Sequence, residues 1–340
     1  MAEISILIPI YNAEKYLEEC LESIQNQQFC DFEVLMIVDG ATDSSLNICT
    51  RFAESDCRFK VRSQENRGSG RTRNHAIDWA MENDSNYIVW VDADDIIHPM
   101  YLDHLYWTIK AHPECDIVQC RYSSVMDELL SVDAPCSKPI QQFSNVRLLT
   151  EMVSGRCGID FTLLWNKIYK KELYQNVRMK ITEYFSGRMQ DDVNILSQIY
   201  KLSSGACLLD EKLYFYRIVA NSIQHKKISE VNLEFLYIYR DLYLECKGTE
   251  FDAFADLLSE RILFELASKF QKRKVEYQNY AAFYRKAKQM YEEFKGQIDF
   301  VCRRKDIWLL NRMAQRCFYA FRVYALLYSV RGKLKTLLRR

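Results

Sequence analysis

The chain has 340 residues, of which 49% are hydrophobic and 27% are charged, and its formal net charge at pH 7 is zero. This length can bury a full core, either as one large domain or as one domain with an appendage. With only 10 glycines and 5 prolines, the composition excludes a disordered or fibrous chain and favours a globular protein rich in helix.

The first 120 residues alternate strand-like and helix-like segments. Short β-branched runs predict strands over Ile4–Ile10, Glu33–Val38, Phe59–Arg62, Tyr87–Val91 and Asp116–Cys120. Apolar residues at helical spacing predict helices over Glu14–Gln27, Asp43–Glu54, Arg71–Asn83 and Pro99–His112. Strands that alternate with helices form βαβ units, so the fold class is α/β with a mostly parallel sheet flanked by helices.

The pattern changes in the second half of the chain. Between 121 and 225 the elements are shorter, with a predicted helix over Asp191–Leu202 and a predicted strand over Ala206–Ile218. Further on, only helices are predicted, at about 230–247, 252–271, 276–294 and 305–338. We therefore expect an α/β domain over 1–228, with halves 1–120 and 121–228, and an all-helical C-terminal region over 229–340.

Three carboxylates within four residues, Asp92, Asp94 and Asp95, end the strand predicted over Tyr87–Val91. Two like charges about 4 Å apart near a surface repel by up to about 4 kcal/mol, which a divalent cation would offset. Strand geometry turns Asp92 and Asp94 to one face, while Asp95 points away and caps the next helix. Hard oxygen ligands favour Mg²⁺ or Mn²⁺. The alternative interpretation is a solvated acidic turn.

Other polar clusters fall where strands end or helices begin. Asp39-Gly40 follows the second strand, Arg67–Arg73 opens a helix, and Asp191-Asp192 opens another. In an open parallel sheet, ligands bind beyond the carboxyl ends of the strands, so these clusters are candidates for a nucleotide and a general base. Each also has a structural interpretation, as a tight turn, a basic helix start or a carboxylate pair favoured by the helix dipole.

The cysteines and the N-terminus predict the compartment. Twelve cysteines and five histidines show no zinc spacing, so we expect free thiols in a reducing cytoplasm. The opening MAEISILIPIYN has no basic region, and no run of eighteen apolar residues occurs, so we expect neither a signal peptide nor a spanning helix.

Charge is concentrated at the C-terminal end. Residues 301–340 contain eleven Lys or Arg and one acid, a net charge of +10, so the first 300 residues carry −10. Aromatic and leucine residues alternate with these cations, as in helices that lie on an anionic membrane surface. One alternative is a helical cap with a solvated basic face. Nucleic-acid binding is another, but it is less favoured because no nucleic-acid recognition motif is present.

The order of motifs resembles that of the family 2 glycosyltransferases, which have the GT-A fold. The resemblance rests on ISILIPIYNAEKYLEECLESIQNQ, FEVLMIVDGATDSS, QENRGSGRTRNHAI, YIVWVDADDIIHPMYL, LLWNKIYKKEL, MQDDV and YFYRIVANSI, and it covers about residues 3–225. It implies inverting transfer of a sugar, of the hexosyltransferase type, from a nucleotide donor that is expected to be a UDP-sugar. It also implies dependence on Mn²⁺ or Mg²⁺.

The resemblance assigns roles by position. The residues implied for the nucleotide-sugar are Pro9, Tyr11, Asp39, Arg73, Asp92, Arg217 and Ser222. Asp94, with Asp92, is implied to bind the metal on the diphosphate, and Asp192, supported by Asp191, is implied to be the catalytic base. Trp165, Asn166 and Lys167 are expected to bind the acceptor. The chain departs from the family pattern at Val38, where the family has an aspartate, and at Asp191, where it has a glutamate.

These inferences predict a cytoplasmic enzyme of surface polysaccharide synthesis, peripheral on the inner face of the plasma membrane and acting on a lipid-linked glycan. No nucleic-acid partner is expected, and the sequence does not specify the sugar, the acceptor or the oligomeric state. A non-catalytic nucleotide-sugar-binding or scaffold protein of the same fold is the alternative. A phosphotransferase with an aspartyl nucleophile is disfavoured, because its aspartate pair would follow the first strand.

Overall fold

The computed structural model describes residues 2–124, 140–179, 191–218, 229–270 and 276–300. The described residues fall into two compact units, of which the first lies within Met1–Met152, Ile159–Thr182 and Gln190–Ala220. The second lies within Val153–Gly158 and Asn221–Arg340. The boundary predicted at residue 228 lies outside the described residues.

The first unit has a mixed α/β structure, and the predicted fold class is confirmed. Its strands are β1 (Ile4–Ile10), β2 (Phe32–Asp39), β3 (Phe59–Gln64), β4 (Tyr87–Trp90), β5 (Ile96–Ile97), β6 (Ile117–Ser123), β7 (Gln141–Ser144), β8 (Lys167–Lys170) and β9 (Gly205–Phe215). Its helices are α1 (Glu14–Gln25), α2 (Ser45–Ser55), α3 (Ser69–Met81), α4 (Tyr101–Ala111), α5 (Asn145–Ser154, which ends in the second unit) and α6 (Asp191–Leu202). Strands β5, β7 and β8 and helix α5 were not predicted, because their apolar runs are short.

The strands form one sheet in the order β3-β2-β1-β4-β8-β6-β9-β5, with β7 also paired to β9. Strands β3, β2, β1 and β4 are parallel, whereas β8 runs antiparallel to both β4 and β6. Strand β9 is parallel to β6. The carboxyl ends of β1, β2, β4 and β9 therefore meet at the same edge of the sheet, which we call the donor edge.

The core of the first unit explains why the strands form. Every residue of β2 is buried, as is typical of a parallel strand covered on both faces. On α1, four fully buried residues recur at helical spacing and pack on the sheet: Leu17, Cys20, Leu21 and Ile24. Burial of such apolar side chains contributes about 1.5–3 kcal/mol each.

Two cysteines correct the prediction that the thiols are free. Cys115 and Cys207 are bonded as a disulfide, and their Cα atoms are 6.2 Å apart, within the range that disulfides require. Ninety-two residues separate these cysteines along the chain, so the sequence spacing gave no sign of the pair. Of the described cysteines outside this pair, Cys20, Cys49, Cys120 and Cys246 are buried free thiols.

The described part of the second unit is helical, as predicted for this region. It contains α7 (Phe235–Cys246), α8 (Asp252–Phe270) and α9 (Tyr280–Phe294). Nη1 of Arg240 lies 2.7 Å from Oε1 of Glu293, which ties α7 to α9. None of the helices described here is both long enough and apolar enough to cross a bilayer. The basic C-terminal end and its predicted helix at 305–338 lie outside the described residues.

Candidate active site

The acidic stretch lies at the donor edge, directly after β4. Asp92 and Asp94 are partly exposed, whereas Asp95 is 1% exposed. The Tyr214 hydroxyl donates to Oδ2 of Asp95 at 2.8 Å and accepts from the Asp92 backbone N–H at 3.2 Å. The turn is closed by a backbone hydrogen bond from Asp95 N–H to the Asp92 carbonyl at 3.1 Å. The prediction that Asp95 caps the following helix is wrong, because its side chain instead holds the end of β9 against this turn.

Arg217 lies beside the same turn. Its backbone N–H donates to Oδ1 of Asp95 at 2.9 Å, and its Nε donates to the Asp94 carbonyl at 2.9 Å. Its Nη2 forms an ion pair with Glu19 of α1, and its guanidinium lies 4.8 Å from the centre of the Tyr16 ring. Arg217, which follows β9, therefore brings a positive charge beside the aspartates that follow β4.

Arg73 of α3 lies between two of the predicted functional carboxylates. Its Nη1 is 3.2 Å from Oδ1 of Asp192, and its Nη2 is 3.8 Å from Oδ1 of Asp92. The second oxygen of Asp192 accepts a hydrogen bond from the Leu164 backbone N–H at 3.1 Å. The carboxylate at the start of α6 is thereby held facing the donor edge.

The carboxyl groups crowded at this edge resist ionisation. Burial raises the pKa of Asp92 to about 7, with further increases from Asp192 and Asp94 and an opposing decrease from Arg73. Burial also raises the pKa of Asp95 to about 8, with contributions from Asp92 and Asp94. The pKa of Asp94 is raised by burial and lowered by Arg217. A bound cation would lower these pKa values, because its positive charge favours the ionised carboxylates that burial disfavours.

The residues present fit a hard divalent cation that is shared with a ligand. Asp92 and Asp94 offer partly exposed carboxylate oxygens, the ligand type that Mg²⁺ and Mn²⁺ prefer. Within the described residues, the donor edge does not bring three His, Cys, Asp or Glu ligand atoms within 4.8 Å of one another. This arrangement suits Mg²⁺, which is usually bound by one or two carboxylates plus phosphate oxygens and water.

Asp39, at the end of β2, organises the loop that precedes α3. Its carboxylate accepts from the backbone N–H groups of Arg67 at 2.8 Å and Gly68 at 2.9 Å, and from Nε2 of Gln64 at 2.7 Å. Gly40 has φ +63°, and a Cβ there would lie 2.5 Å from the Asn66 backbone nitrogen. The turn and the loop are therefore in close contact, which only glycine permits at this position.

Pro9 and Tyr11 lie at the end of β1, on the same edge. Pro9 is partly exposed, and Tyr11 is 56% exposed, so a large ring is available at the surface. Asn12, with φ +47°, accepts a hydrogen bond on Oδ1 from the Thr42 N–H at 2.8 Å.

The loops that follow β1 and β2 hold each other in place. The Ala13 N–H donates to Oγ of Ser45 at 2.9 Å, and the Glu14 N–H donates to Oδ2 of Asp43 at 3.0 Å. In return, the Ser44 N–H donates to Oε2 of Glu14 at 2.9 Å. Side chains at the start of α2 thus accept from backbone N–H groups at the start of α1, and a side chain of α1 accepts from one at the start of α2.

Trp165, Asn166 and Lys167, which we expected to bind the acceptor, are 4%, 0% and 0% exposed. The Trp165 ring is stacked between Tyr214, at 4.4 Å, and Tyr216, at 5.5 Å. Nδ2 of Asn166 donates to the Cys120 carbonyl at 2.7 Å. Their contacts in the structure are with the protein interior, and a role in acceptor binding stays a prediction.

Lys167 places its side-chain amine in the interior of the protein. It donates to the Leu163 carbonyl and, at 3.0 Å, to Oδ1 of Asn166. Burial lowers the pKa of Lys167 to about 7, against an opposing influence of Asp160 and Asp192. Lys167 thus holds the Leu163 carbonyl in place. The next residue, Leu164, donates its backbone N–H to Asp192, the predicted base.

The side chain of Asp191, the first residue of α6, and the whole of Ser222 lie outside the described residues.

Sequence reasoning missed Tyr214, Leu164, Glu19 and Gln64 as contributors to the site. Tyr214 lies beyond two register shifts between β6 and β9, at Cys120/Arg121 and Arg121/Tyr122. Bulges of this kind re-aim side chains next to active sites, and no local pattern in the strand predicts them.

Comparison with known proteins identifies the class of protein that this fold and site define. The family model described as "Glycosyl transferase family 2" matches residues 5–191. The chain therefore belongs to the family 2 glycosyltransferases, as the motifs had indicated.

Two proteins with similar sequences come from bacteria. The glycosyltransferase GlyA of Streptococcus pneumoniae is 31% identical over 229 residues, which make up 65% of this chain and 31% of GlyA. The putative glycosyltransferase EpsH of Bacillus subtilis is 29% identical over 234 residues, which make up 68% of this chain and 66% of EpsH. The chain thus matches about a third of GlyA and just under two thirds of EpsH.

A solved structure shares the fold. The crystal structure of residues 1–349 of Staphylococcus aureus TarS, in complex with UDP-GlcNAc, covers 96% of this chain and 91% of that chain. The TM-score is 0.69 at 18% sequence identity, so the likeness is one of fold. It supports the GT-A architecture predicted from the motifs.

Proposed function

We propose that this protein transfers a sugar from a nucleotide-sugar donor, a UDP-sugar, to a hydroxyl group of a glycan acceptor, with inversion at the anomeric carbon. The observation that carries the proposal is the position of Arg73, which lies between Asp92 at the donor edge and Asp192 at the start of α6. A donor-side carboxylate and a candidate base therefore face the same small region.

The donor is assigned to the edge formed by the ends of β1, β2 and β4. Asp39, which is 3% exposed, fixes the Arg67–Gly68 loop, and the second lone pair of its Oδ2 is proposed to accept from a uracil N–H. Pro9 and Tyr11 offer apolar surface for the base and ribose. UDP-GlcNAc is bound in the TarS crystal structure, which has the same fold, and this supports a UDP-sugar as donor.

Asp192 is proposed as the general base. Its Oδ2 is oriented by the Leu164 N–H, and its Oδ1 faces Arg73. An ionised carboxylate in this position can accept the proton of the acceptor hydroxyl as that oxygen attacks. Attack from the face opposite the leaving diphosphate gives inversion in one displacement.

Asp94 and Asp92 would hold Mn²⁺ or Mg²⁺ together with the donor diphosphate. Such a cation, when bound, would stabilise the negative charge that develops on the leaving diphosphate. Arg217 is oriented toward the same place by Asp94 and Asp95, so its positive charge would assist the departure of the diphosphate.

The acceptor is proposed to be a lipid-linked glycan of a surface polysaccharide, reached from the inner face of the plasma membrane. The support is the charge of +10 over residues 301–340 and its aromatic pattern. Removal of residues 301–340 should release the protein from anionic vesicles while UDP binding is retained. Equal vesicle binding by the shortened chain would remove this support.

The test of the proposed function is a panel of nucleotide sugars, measured by thermal shift and by release of UDP, with wild type and Asp192→Asn in parallel. We expect one UDP-sugar to raise the melting temperature of both proteins. UDP release should fall by a factor of about 10²–10⁴ in the variant, because the base is lost while the side-chain shape is kept. Asp78→Asn, at an exposed position of α3, is the matched control.

The outcomes distinguish a glycosyltransferase from a non-catalytic nucleotide-sugar binder. Binding without turnover in wild type would favour the non-catalytic nucleotide-sugar binder. Full turnover in Asp192→Asn would remove Asp192 as the base.

A further inference from the structure

A second cluster of metal-ligating side chains lies away from the donor edge. His112, Glu114 and Cys115 belong to one tight turn after α4, closed by a hydrogen bond from the Cys115 N–H to the His112 carbonyl at 2.9 Å. One ligand atom each from His112, Glu114 and Cys207 lie within 4.8 Å of one another, and Cys207 is bonded to Cys115. We call these four residues the thiol cluster.

The thiol cluster is at the opposite edge of the sheet from the candidate active site. Cys115 precedes β6, and Cys207 lies near the start of β9, where Ile117 pairs with Ala206. The acidic residues of the active site follow the end of β4, and Arg217 follows the end of β9. Because β6 and β9 run in the same direction as β4, the thiol cluster is separated from the donor by the length of the strands.

We propose that the reduced thiol cluster binds a thiophilic divalent cation, Zn²⁺. Two thiolates, an imidazole and a carboxylate are ligands that zinc accepts in a tetrahedral site. The ligand atoms of His112, Glu114 and Cys207 lie within 4.8 Å of one another, close to the separation of about 4 Å that tetrahedral bonds of about 2.0–2.3 Å require, and Cys115 is bonded to Cys207.

The surroundings of the two cysteines favour a cation as an alternative to the disulfide. A disulfide requires only the two sulfurs, yet an imidazole and a carboxylate lie beside them, with Nδ1 of His112 3.1 Å from Oε1 of Glu114. Nε2 of Gln142 donates to the same Glu114 oxygen at 2.6 Å. A hydrogen bond of this kind orients a ligating carboxylate in metal sites.

The sulfurs are buried and the other two ligands face the surface. Cys115 and Cys207 are 3% and 0% exposed, whereas the side chains of His112 and Glu114 are 28% and 52% exposed. A cation can therefore enter from the His112 and Glu114 side and reach thiolates that are shielded from water.

The binding step involves no change of oxidation state. A thiol reductant first converts the Cys115–Cys207 disulfide to two thiols and is itself oxidised to a disulfide. Each cysteine thiol then loses its proton to solvent as its sulfur bonds to the cation. The disulfide and the cation exclude one another, since both use the same sulfur electrons. Affinity should therefore fall when the solution is acidified, because the protons compete with the metal.

The test uses the full chain, reduced with a phosphine and then freed of it without oxygen, and titrated with Co²⁺ as a spectroscopic substitute for Zn²⁺. We expect one equivalent of Co²⁺ to give thiolate-to-cobalt charge-transfer absorption and the d–d bands of a tetrahedral site. Zn²⁺ should displace it. Cys207→Ser should lose the charge-transfer band, whereas Cys49→Ser, at a buried cysteine elsewhere, and Asp94→Ala should keep it.

Two results would overturn the proposal: no charge-transfer band in the reduced wild type, or a band of full intensity in Cys207→Ser. If Cys207→Ser does not fold, His112→Ala provides the same decision at a partly exposed position. It should weaken Co²⁺ binding by about tenfold or more, and unchanged binding would contradict the site.

Discussion

Nη1 of Arg73 lies 3.2 Å from Oδ1 of Asp192, so a cation from α3 holds the carboxylate that opens α6. The other end of the guanidinium lies 3.8 Å from Asp92. Arg73 therefore connects the residues proposed to bind the donor with the residue proposed to activate the acceptor. A change at this position should affect both activities.

Arg73→Gln should reduce both donor affinity and turnover. The substitution removes the positive charge between Asp92 and Asp192, leaving two carboxylates without compensation. We expect kcat/KM to fall by about 10- to 100-fold, as for lost charge-assisted hydrogen bonds. Steady-state kinetics and UDP calorimetry measure the two effects. Arg51→Gln, at an exposed position of α2, is the control, and an equal loss there would mean that the overall charge of the protein is responsible.

Tyr214→Phe should destabilise the fold and weaken donor binding together. The lost hydroxyl leaves the Asp92 N–H and one oxygen of the buried Asp95 without their partner, which costs about 1–3 kcal/mol. Urea unfolding and UDP calorimetry are the measurements. Tyr216→Phe removes a hydroxyl from the same aromatic stack and should change neither. Wild-type behaviour of Tyr214→Phe would show that the hydroxyl does not hold the acidic turn.

Gly40→Ala should be more damaging than the same change at another glycine with a similar backbone. Gly40 has φ +63° and Gly155 has φ +59°, so an alanine costs about 1–2 kcal/mol at either position from its backbone alone. At Gly40 the new Cβ would also lie 2.5 Å from the Asn66 nitrogen, whereas nothing lies within 4 Å at Gly155. Chemical unfolding should show the larger loss for Gly40→Ala. Equal losses would mean that the Asn66 loop yields freely.

Lys167→Met should alter how stability depends on pH. Above the folded pKa of about 7, the native lysine is neutral while the unfolded lysine still holds its proton. The unfolded state then binds more protons, so this lysine makes stability rise with pH, by at most about 1.4 kcal/mol per pH unit, until the unfolded pKa is reached. The free energy of unfolding of wild type should therefore increase relative to Lys167→Met between about pH 7 and pH 10.

Urea unfolding across that pH range measures the difference. Lys15→Met, at an exposed position of α1, is the control, since it removes a lysine and leaves Lys167 and its partners in place, and it should keep the pH dependence of wild type. A constant difference between wild type and Lys167→Met would mean that the buried ammonium keeps its proton.

Asp94→Ala should remove the dependence of donor binding on Mn²⁺. The substitution removes a partly exposed carboxylate that the proposed cation would share with the diphosphate. UDP affinity measured with and without Mn²⁺ should differ in wild type and coincide in the variant. Asp78→Ala, an exposed carboxylate of α3, should behave as wild type. A manganese effect that persists in Asp94→Ala would exclude this aspartate as a ligand.

The α/β fold and the donor edge could be predicted because their signals are local. The buried strand Phe32–Asp39 and the helix Glu14–Gln25 have apolar patterns that burial imposes on each element separately. The same holds for Asp92 and Asp94, because carboxylates after a buried strand of a parallel sheet mark its ligand-binding edge.

Other features depend on contacts between distant segments. The antiparallel strand Lys167–Lys170 is only four residues long, and its place between β4 and β6 is fixed by pairing alone. The hydrogen bonds of Asp95 with Tyr214 and Arg217 arise where β9 returns to the acidic turn. The same is true of Cys115 and Cys207, which adjacent strands bring together. No spacing rule in the sequence could predict these pairs.

The hydrogen bonds between the loops that follow β1 and β2 have a consequence for engineering. Asn12, Ala13 and Glu14 are bonded to Thr42, Ser44, Ser45 and Asp43 in both directions. A chimera that exchanged only one of these loops with a homologue would leave backbone groups unpaired at the starts of two helices. Donor specificity grafted from another member of the family should therefore require residues 11–14 and 42–45 to be transplanted together.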